Sequence, residues 1–192
     1  MALSESEKIE FEEVVSRFLS ADSPEAFRAA TDYLRSLVPF RHFATALIPI
    51  EPSGLNMDLE WAFSSYPPDF VQAYLENHHH LMDLAVLENF RPEQFGQVRR
   101  WSDIYQLVED EPDRYPAETM RMHYQFLEFV AQWGILADGY TMGYKGFHAG
   151  VGKELGSIFS IADDLEFSER NQALLDQLRP HIHQGLVHVF LR

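Results

Sequence analysis

The chain has 192 residues, 46% of them hydrophobic and 14% aromatic, which predicts a single domain over residues 1–192 with a substantial core. Fifteen Lys and Arg residues against thirty Asp and Glu residues give a net charge of −15. Because this charge repels the phosphate backbone, we do not expect the chain to bind nucleic acid directly. The sequence lacks cysteine, a signal peptide and an apolar run of the ~18 residues needed to span a membrane, so we expect a cytoplasmic protein without disulfides, thiol chemistry or a membrane partner.

Two helices are predicted at the N-terminus. Ser4 and Glu7 have the spacing of a capping box, and an apolar stripe of helical period follows them. Ser23 before Pro24 is the pattern of an N-cap followed by proline in the first helical turn. The second helix is predicted to end near Pro39.

Strands and a third helix are predicted next. The stretch from Phe40 to Ile50 alternates β-branched, aromatic and small residues and predicts a strand that is apolar on both faces. A turn over Pro52 to Gly54 separates it from a second strand over Leu59 to Ser64. Pro67 and Pro68 are typical of the entry to a helix.

The middle of the chain has a weaker pattern. Asn77 to Arg100 is predicted to be a loop with helical turns, including a short helix over Asp83 to Phe90. One further helical turn is predicted at Ser102 to Tyr105. A strong apolar stripe then predicts a helix over Ala117 to Trp133, ended by Gly134.

The C-terminal part predicts two paired strands and a last helix. The strands cover Gly139 to Tyr144 and Gly156 to Ala162, and the last helix contains Pro180, which predicts a kink or a break. This order of elements predicts an α+β fold, an antiparallel sheet covered by helices on both faces. The loop between the two strands is predicted to contain Gly146, Gly150 and Gly152.

Candidate catalytic and metal-binding residues are few. The run His78 to His80 cannot point at one centre in regular structure, and His181 and His183 lie two apart on a helix, so solvated histidines are favoured over metal ligands. Asp163 and Asp164 follow a strand, where a loop start or a helix cap is commoner than a catalytic carboxylate pair. No paired nucleophile and base stand out, so we expect no enzyme and no cofactor.

One constellation does stand out. Tyr66, Phe70 and Tyr74 lie four residues apart and share one helix face. Asp83 follows nine residues after Tyr74, in the apolar setting of Leu81 to Ala85, where a buried carboxylate needs a donor. Each group has two interpretations at this point. Asp83 either caps the short helix that follows it or accepts a hydrogen bond from a ligand, and the aromatic residues either belong to the core or line a ligand site.

These residues begin a series of motifs that resembles the autoinducer-binding domain of LuxR-type quorum-sensing transcription factors. That family carries Tyr-Pro-x-x-Trp-x-x-x-Tyr, then Asp-Pro, Trp-Ser-Asp, Gly-Leu, a Gly-x-Thr-x-Pro strand and a small apolar strand with Ser or Thr. The resemblance implies an α-β-α sandwich around a five-stranded antiparallel sheet, one strand more than the four predicted above. The matching segments here are Tyr66 to Tyr74, Asp83-Leu84, Trp101-Ser102-Asp103, Gly134-Ile135, Gly139-Tyr140-Thr141 and Gly156 to Ala162.

The resemblance implies an N-acyl homoserine lactone enclosed between the sheet and the helices on one face. By this likeness, Asp83 accepts a hydrogen bond from the ligand amide, Tyr66 donates to the acyl carbonyl, and Ser160 adds a further bond. The walls of the expected site are Tyr74 and Trp101 around the lactone and Phe126 along the acyl tail.

Three residues depart from the family pattern. Phe70 takes the place of a Trp whose indole N–H donates to the lactone carbonyl, and phenylalanine cannot donate. An unpaired buried carbonyl costs about 1–3 kcal/mol. Either another donor or a water replaces the indole, or the head group is not a homoserine lactone. Leu84 and Gly143 replace two family prolines, which affects backbone stiffness more than ligand chemistry.

The family continues into a helix-turn-helix domain that places a recognition helix in DNA, and the expected domain is the sensing part without it. The preferred hypothesis is therefore a ligand-sensing domain for an acyl homoserine lactone or a related amphiphile, acting as a homodimer or as a heterodimer with a LuxR-type protein. The alternatives are a regulator that acts by heterodimerisation with a full-length relative, and a sensor of a non-lactone ligand. Acyl chain length and oxidation at the third carbon are left open.

Overall fold

The computed structural model describes residues 3–51, 54–55, 61–81, 83–89, 91, 96–135, 138–150, 152–162 and 168–191. Its helices are α1 (Glu5–Ser20), α2 (Pro24–Leu34), α3 (Pro68–Glu76), α4 (Leu84–Asn89), α5 (Trp101–Asp110), α6 (Ala117–Gln132) and α7 (Glu169–Phe190). Its strands are β1 (His42–Glu51), β2 (Gly54–Leu55), β3 (Trp61–Ser64), β4 (Val98–Arg100), β5 (Gly139–His148) and β6 (Lys153–Ala162). Short 3₁₀ turns cover His79–Leu81 and Pro112–Arg114.

The strands form one antiparallel sheet that is five strands wide. β2 and β3 both pair with the edge of β1 that β6 leaves open, so together they occupy one position. The order across the sheet is β2 and β3, then β1, β6, β5 and β4. This confirms the five-stranded sheet that the family resemblance implied.

Helices cover both faces of the sheet, which confirms the predicted α+β sandwich. On one face α1, α2 and α7 enclose the main core together with Phe43, Leu47 and Phe159. On the other face lie α3, α4, α5 and α6, and there α4 and α5 share a smaller apolar cluster around Leu84 and Ile104. No helix in the described part of the chain is long and apolar enough to cross a membrane.

The N-terminal helices begin as predicted. The backbone N–H of Glu7 donates to Ser4 Oγ at 3.3 Å, and the Ser4 N–H donates to the Glu7 carboxylate at 2.8 Å, which completes the capping box. Ser23 Oγ accepts from the backbone N–H of Ala26 at 3.1 Å. Parts of other predicted elements lie outside the described residues, namely Pro52, Ser53, Leu59, Phe90, Asp163 and Asp164.

Two elements of the middle region differ from prediction. The stretch from Asn77 to Arg100 was expected to lack strands, but its last three residues form β4 and supply the missing fifth strand. Three residues are too few to show a period of two, so their pairing comes from tertiary contacts. The single turn predicted at Ser102 to Tyr105 is a ten-residue helix, because Ile104 and Val108 are buried one turn apart.

In the C-terminal half one prediction was wrong, and of the kink or break predicted at Pro180 the break does not occur. Gly146 lies within β5 and not in the loop, because β5 and β6 remain paired to their ends. The helix α7 runs through Pro180 without a break. Proline removes one backbone hydrogen bond, but Leu178 and Ile182 on either side of it are buried in the main core, and this packing keeps the helix continuous.

The prediction of solvated histidines was wrong for two residues. His79 is buried, with its ring centroid 4.3 Å from that of Phe129. His183 is buried beneath β6, where its two ring nitrogens contact Ser157 Oγ at 2.8 Å and His148 Nε2 at 2.9 Å. Burial and the neighbouring His148 lower the pKa of His183 to about 4, so it is neutral at pH 7.

Candidate functional site

A cavity of about 380 Å³ lies between the sheet and the helices α3 to α6. This volume falls within the range of small-molecule sites in proteins, about 300–1,000 Å³. The family motifs, which are far apart in the sequence, meet around it. Its lining includes all seven predicted ligand-site residues, namely Tyr66, Phe70, Tyr74, Asp83, Trp101, Phe126 and Ser160.

The entry to α3 builds an aromatic wall. Tyr66, Phe70 and Tyr74 follow one another at helical spacing, with ring centroids 5.2 Å and 6.1 Å apart along the row. Phe70 also contacts Phe129 and Trp133 of the α6 segment, at 5.3 Å and 5.8 Å between centroids. The predicted common face is confirmed, and it is both a cavity wall and part of the packing between α3 and α6.

Asp83 caps a helix and also faces the cavity. Its Oδ1 accepts from the backbone N–H of Ala85 at 2.9 Å, so it caps α4. Its Oδ2 accepts from the Tyr74 hydroxyl at 3.2 Å, and its side chain lines the cavity. Burial away from water raises the pKa of the Asp83 carboxyl to about 6, although hydrogen bonds from Ala85 and Tyr74 oppose the shift. An added N–H or O–H from a ligand would stabilise its charged form.

Ser160 reaches the cavity from the middle of the sheet. It lies opposite Thr141 on β5, with the two hydroxyl oxygens 3.0 Å apart. Behind them, the Asn89 amide nitrogen lies 2.7 Å from Thr141 Oγ1 and 2.6 Å from the carbonyl oxygen of Ala85. Thr141 and Asn89 are fully buried. Polar side chains at such depth require hydrogen-bond partners, and the Asn89 amide nitrogen, Thr141 and Ser160 are joined to one another, whereas the Asn89 Oδ1 has no partner among the described residues.

A protein-family model described as the autoinducer binding domain matches residues 23–186. The chain belongs to the autoinducer-binding domain family. The match spans α2 to α7 and therefore contains the whole cavity. No curated protein sequence gives a significant match.

Solved structures share the fold of this autoinducer-binding domain. CepR2 from Burkholderia cenocepacia, an N-acylhomoserine lactone dependent LuxR family transcription factor, has 13% identity and a TM-score of 0.58, over 95% of each chain. SdiA in complex with octanoyl-rac-glycerol has 11% identity and a TM-score of 0.62, over 99% of this chain and 68% of that chain. The LBD domain of VqsR from Pseudomonas aeruginosa has 15% identity and a TM-score of 0.56, over 98% of each chain. At these identities the likeness is one of fold.

Trp101 of the autoinducer-binding domain is fixed by its neighbours at the start of α5. Asp138 accepts from the backbone N–H of Ser102 at 2.9 Å and from Arg100 Nε at 2.5 Å, which anchors the first turn. The indole ring lies against Gly139, where an added Cβ would be only 2.9 Å from the ring. Gly139 of the Gly-x-Thr motif therefore leaves the space that the Trp101 ring occupies.

A buried ion cluster, which the sequence pattern does not predict, anchors α4. Glu88 is fully buried and accepts from Arg114 at 2.9 Å and from Arg99 at 3.2 Å, with Arg91 at 2.8 Å and the Tyr115 hydroxyl beside it. Burial alone would raise the pKa of Glu88, but the hydrogen bonds from Arg114 and Tyr115 outweigh it and hold the pKa below its ordinary value. Because Glu88 precedes Asn89 at the end of α4, this cluster anchors that end of the helix.

Most of the remaining cavity wall is apolar, with aliphatic side chains from α3, α4, α6 and the sheet. The tyrosines, Asp83 and Ser160 supply polar groups, and Thr45, Ser64 and His80 add further ones. Tyr105 of α5 is a further lining residue that the family motifs do not single out, and burial raises its pKa well above the ordinary value. The aliphatic lining includes Ala46, Val71, Leu75, Val86, Val130 and Ile158.

Proposed function

We propose that this domain binds an N-acyl homoserine lactone, or a closely related acyl amphiphile, in the cavity and acts as the ligand sensor of a quorum-sensing regulator. The observation that carries the proposal is the convergence of six motif residues and of Phe126, the seven predicted ligand-site residues, on one cavity between the sheet and α3 to α6. The family membership of the chain supports the same conclusion.

The polar groups fit a secondary amide. An acyl amide presents one N–H donor and one carbonyl acceptor, and the cavity offers the Asp83 carboxylate beside the hydroxyls of Tyr66 and Ser160. The aliphatic walls fit an acyl chain, since each buried methylene contributes about 0.8 kcal/mol. We therefore propose that the amide lies near Asp83 and that the tail extends past Phe126.

The head group of the ligand has two candidate structures, a homoserine lactone and a glycerol. Phe70 offers no donor to a lactone carbonyl, and its ring is enclosed by Phe129 and Trp133. The similarly folded SdiA has been solved with octanoyl-rac-glycerol, an acyl ligand without a lactone. An acylglycerol is therefore the alternative ligand class, with its hydroxyl groups as donors to Asp83.

The variant Phe70→Trp separates the two candidates. An indole N–H at this position adds one donor, and a net hydrogen bond is equivalent to a gain of about three- to tenfold in affinity. For a homoserine lactone we expect this gain in titration calorimetry, and for 1-octanoylglycerol no gain. Equal changes for both ligands would contradict a lactone carbonyl beside residue 70.

The regulatory step that follows binding is part of the proposal. Ligand burial stabilises the folded domain by mass action. The ligand-bound domain would then act on transcription through a dimer, either a heterodimer with a full-length LuxR-type protein or a homodimer with a second copy. In this proposal the domain acts in the cytoplasm and makes no direct contact with nucleic acid.

Thermal unfolding with a panel of N-acyl homoserine lactones and acylglycerols tests ligand binding. At a ligand concentration a hundredfold above Kd we expect stabilisation by about 2.7 kcal/mol, seen as a higher Tm. Asp83→Asn and Tyr66→Phe should each reduce the shift. The matched control is Asp32→Asn on the outer surface of α2, where the carboxylate pairs with Arg35. A Tm that no member of the panel raises, or equal shifts in all three variants, would contradict the proposal.

A further inference from the structure

The Asn89 side chain sets the direction of the hydrogen bonds behind Ser160. One atom of its amide lies 2.6 Å from the backbone carbonyl oxygen of Ala85 and 2.7 Å from Thr141 Oγ1. A carbonyl oxygen only accepts, so this atom is the nitrogen, and its two hydrogens go to these two acceptors. Thr141 Oγ1 is therefore an acceptor from Asn89.

The Thr141 hydroxyl must still place its own hydrogen. Thr141 is fully buried, and its remaining side-chain partner within the described residues is Ser160 Oγ at 3.0 Å. A contact between two hydroxyls satisfies distance criteria in either direction. If Ser160 donated, the Thr141 hydrogen would be left unpaired in a buried position, which is unfavourable. The favoured chain therefore runs from Asn89 to Thr141 and from Thr141 to Ser160.

In this direction the hydrogen of the Ser160 hydroxyl has no acceptor within the described part of the chain. Ser160 lines the cavity, so the space available to this hydrogen is the space of the ligand. Hydrogen bonds arranged head to tail polarise one another, which makes the terminal hydroxyl a better donor.

We propose that Asn89 and Thr141 are positioning residues that orient the Ser160 hydroxyl as a donor into the cavity, so that the site requires a hydrogen-bond acceptor, the acyl carbonyl, at this point of the ligand. The inference rests on the proposed function, since it concerns an acyl ligand in the same cavity. It adds two residues to the recognition of that ligand, neither of which needs to touch it.

The close approach of α4 to β5 keeps this chain in place. A Cβ added to Gly143 would lie 3.1 Å from the Asn89 carbonyl oxygen and 3.4 Å from the Asn89 Cβ, which is tighter than ordinary contact. Gly143 stands where the family motif has proline. The small residue therefore gives Asn89 the room to approach Thr141.

A double-mutant cycle tests the proposal. The probe is N-octanoyl homoserine lactone, with 1-octanoylglycerol as a second probe, and affinity is measured by titration calorimetry. We expect Thr141→Val and Ser160→Ala each to weaken binding by about three- to tenfold, the equivalent of one hydrogen bond. In the Ser160→Ala background, Thr141→Val should have no further effect, because the hydroxyl that it orients is gone. Thr141→Ser keeps the hydroxyl and should bind like the wild type.

The outcomes separate the possible failures. If Thr141→Val weakens binding by the same factor in both backgrounds, Thr141 acts only through packing and the positioning role is overturned. If Thr141→Val is too unstable to titrate, Asn89→Leu replaces it in the cycle and must show the same loss only where Ser160 is present. If the wild-type protein binds neither probe, the proposed function and the inference are overturned together. If the wild type binds but the effects of Thr141→Val and Ser160→Ala are additive, the inference alone is overturned.

Discussion

The two faces of the sheet differ in how the space beneath their helices is filled. On the face of α1, α2 and α7, large side chains such as Phe27 and Phe159 are buried and fill the core. On the face of α3 to α6, the sheet presents Ala46 and Ser160, and the space above them is the cavity of about 380 Å³. Neighbouring strand residues point to opposite faces, so Phe159 and Ser160 show the contrast within one strand.

The difference separates stability from recognition. A filled core gives its full contribution without a ligand, because every buried ring has neighbours on all sides. An unfilled core of the same area lacks part of this packing and regains it when a ligand of suitable shape binds. Substitutions on the filled face should therefore change stability alone, whereas those on the cavity face should change ligand affinity as much as stability.

The largest effect is expected from a matched pair of phenylalanines. Phe27 is fully buried between Phe18 and Phe63, with both ring centroids 5.1 Å away, so Phe27→Ala should lower the free energy of unfolding by about 3–5 kcal/mol. Phe126 is also buried but borders the cavity, so Phe126→Ala should lower the free energy of unfolding by less than Phe27→Ala does. Urea denaturation without ligand measures both. Equal losses would show that the cavity side is as tightly packed as the other face.

The same pair should differ in binding. Phe126→Ala is expected to weaken an acyl ligand, because the ring forms part of the wall along the proposed tail. Phe27→Ala should leave the affinity of the folded protein unchanged, since α2 lies on the opposite face of the sheet. Titration at a temperature at which both variants are folded makes the comparison.

The second largest effect is a pH dependence of stability that arises from Asp83 on the cavity face. The pKa of Asp83 is about 6 in the folded protein and 3.8 in its ordinary state, so the folded protein favours the protonated form. The resulting stabilisation is complete below pH 3.8 and is lost as the pH rises through 6, by up to about 3 kcal/mol. Asp83→Asn removes this dependence. The free energy of unfolding of Asp83→Asn, relative to wild type, should therefore rise between pH 4 and pH 7.

Denaturation of the ligand-free proteins at several pH values gives that difference. The variant Asp32→Asn, measured in parallel, controls for replacing an exposed carboxylate by an amide on the opposite face of the sheet. Parallel curves for wild type and Asp83→Asn would show that the Asp83 carboxyl is as well solvated as one on the surface.

The elements that could be predicted from the sequence are those whose signals are local. The capping box at Ser4 and the alternation along β1 and β6 need only neighbouring residues, and the structure has these elements nearly where they were predicted. The seven predicted ligand-site residues were brought together by a family resemblance, and the structure places them around one cavity. Their individual ligand contacts stay predictions.

The features that the sequence did not predict depend on distant pairs. Asn89 and Thr141 are 52 residues apart, and the hydrogen bond between them arises only because α4 lies over β5. Glu88 looks like a surface residue of a short helix until Arg99 and Arg114 are brought around it. The buried His183 lies on a helix whose buried side is set by the whole sheet. Periodicity identifies a buried stripe, but it does not identify which polar residue in the stripe has a partner.

The smallest effects are expected from two glycines, one on each face. A Cβ at Gly185 of α7 would lie 2.4 Å from the backbone carbonyl oxygen of Phe18, and a Cβ at Gly139 would lie 2.6 Å from that of Ile161. Each Gly→Ala change forces backbone to move and should cost about 1–3 kcal/mol in stability. Gly150→Ala is the control, because its added Cβ meets nothing within 4 Å.

Ligand affinity distinguishes these two glycines. The Cβ of Gly139→Ala also presses on the Trp101 ring at 2.9 Å, so this variant should displace a cavity wall and weaken an acyl ligand severalfold. Gly185→Ala separates α1 from α7 on the filled face and should leave affinity unchanged. Calorimetric titration of both variants against the Gly150→Ala control decides the matter. The contact that the added Cβ of Gly185→Ala makes with α1 lies beyond the reach of any ligand in the cavity. An equal loss of affinity in Gly185→Ala and Gly139→Ala would therefore mean that the two faces are mechanically coupled through the sheet.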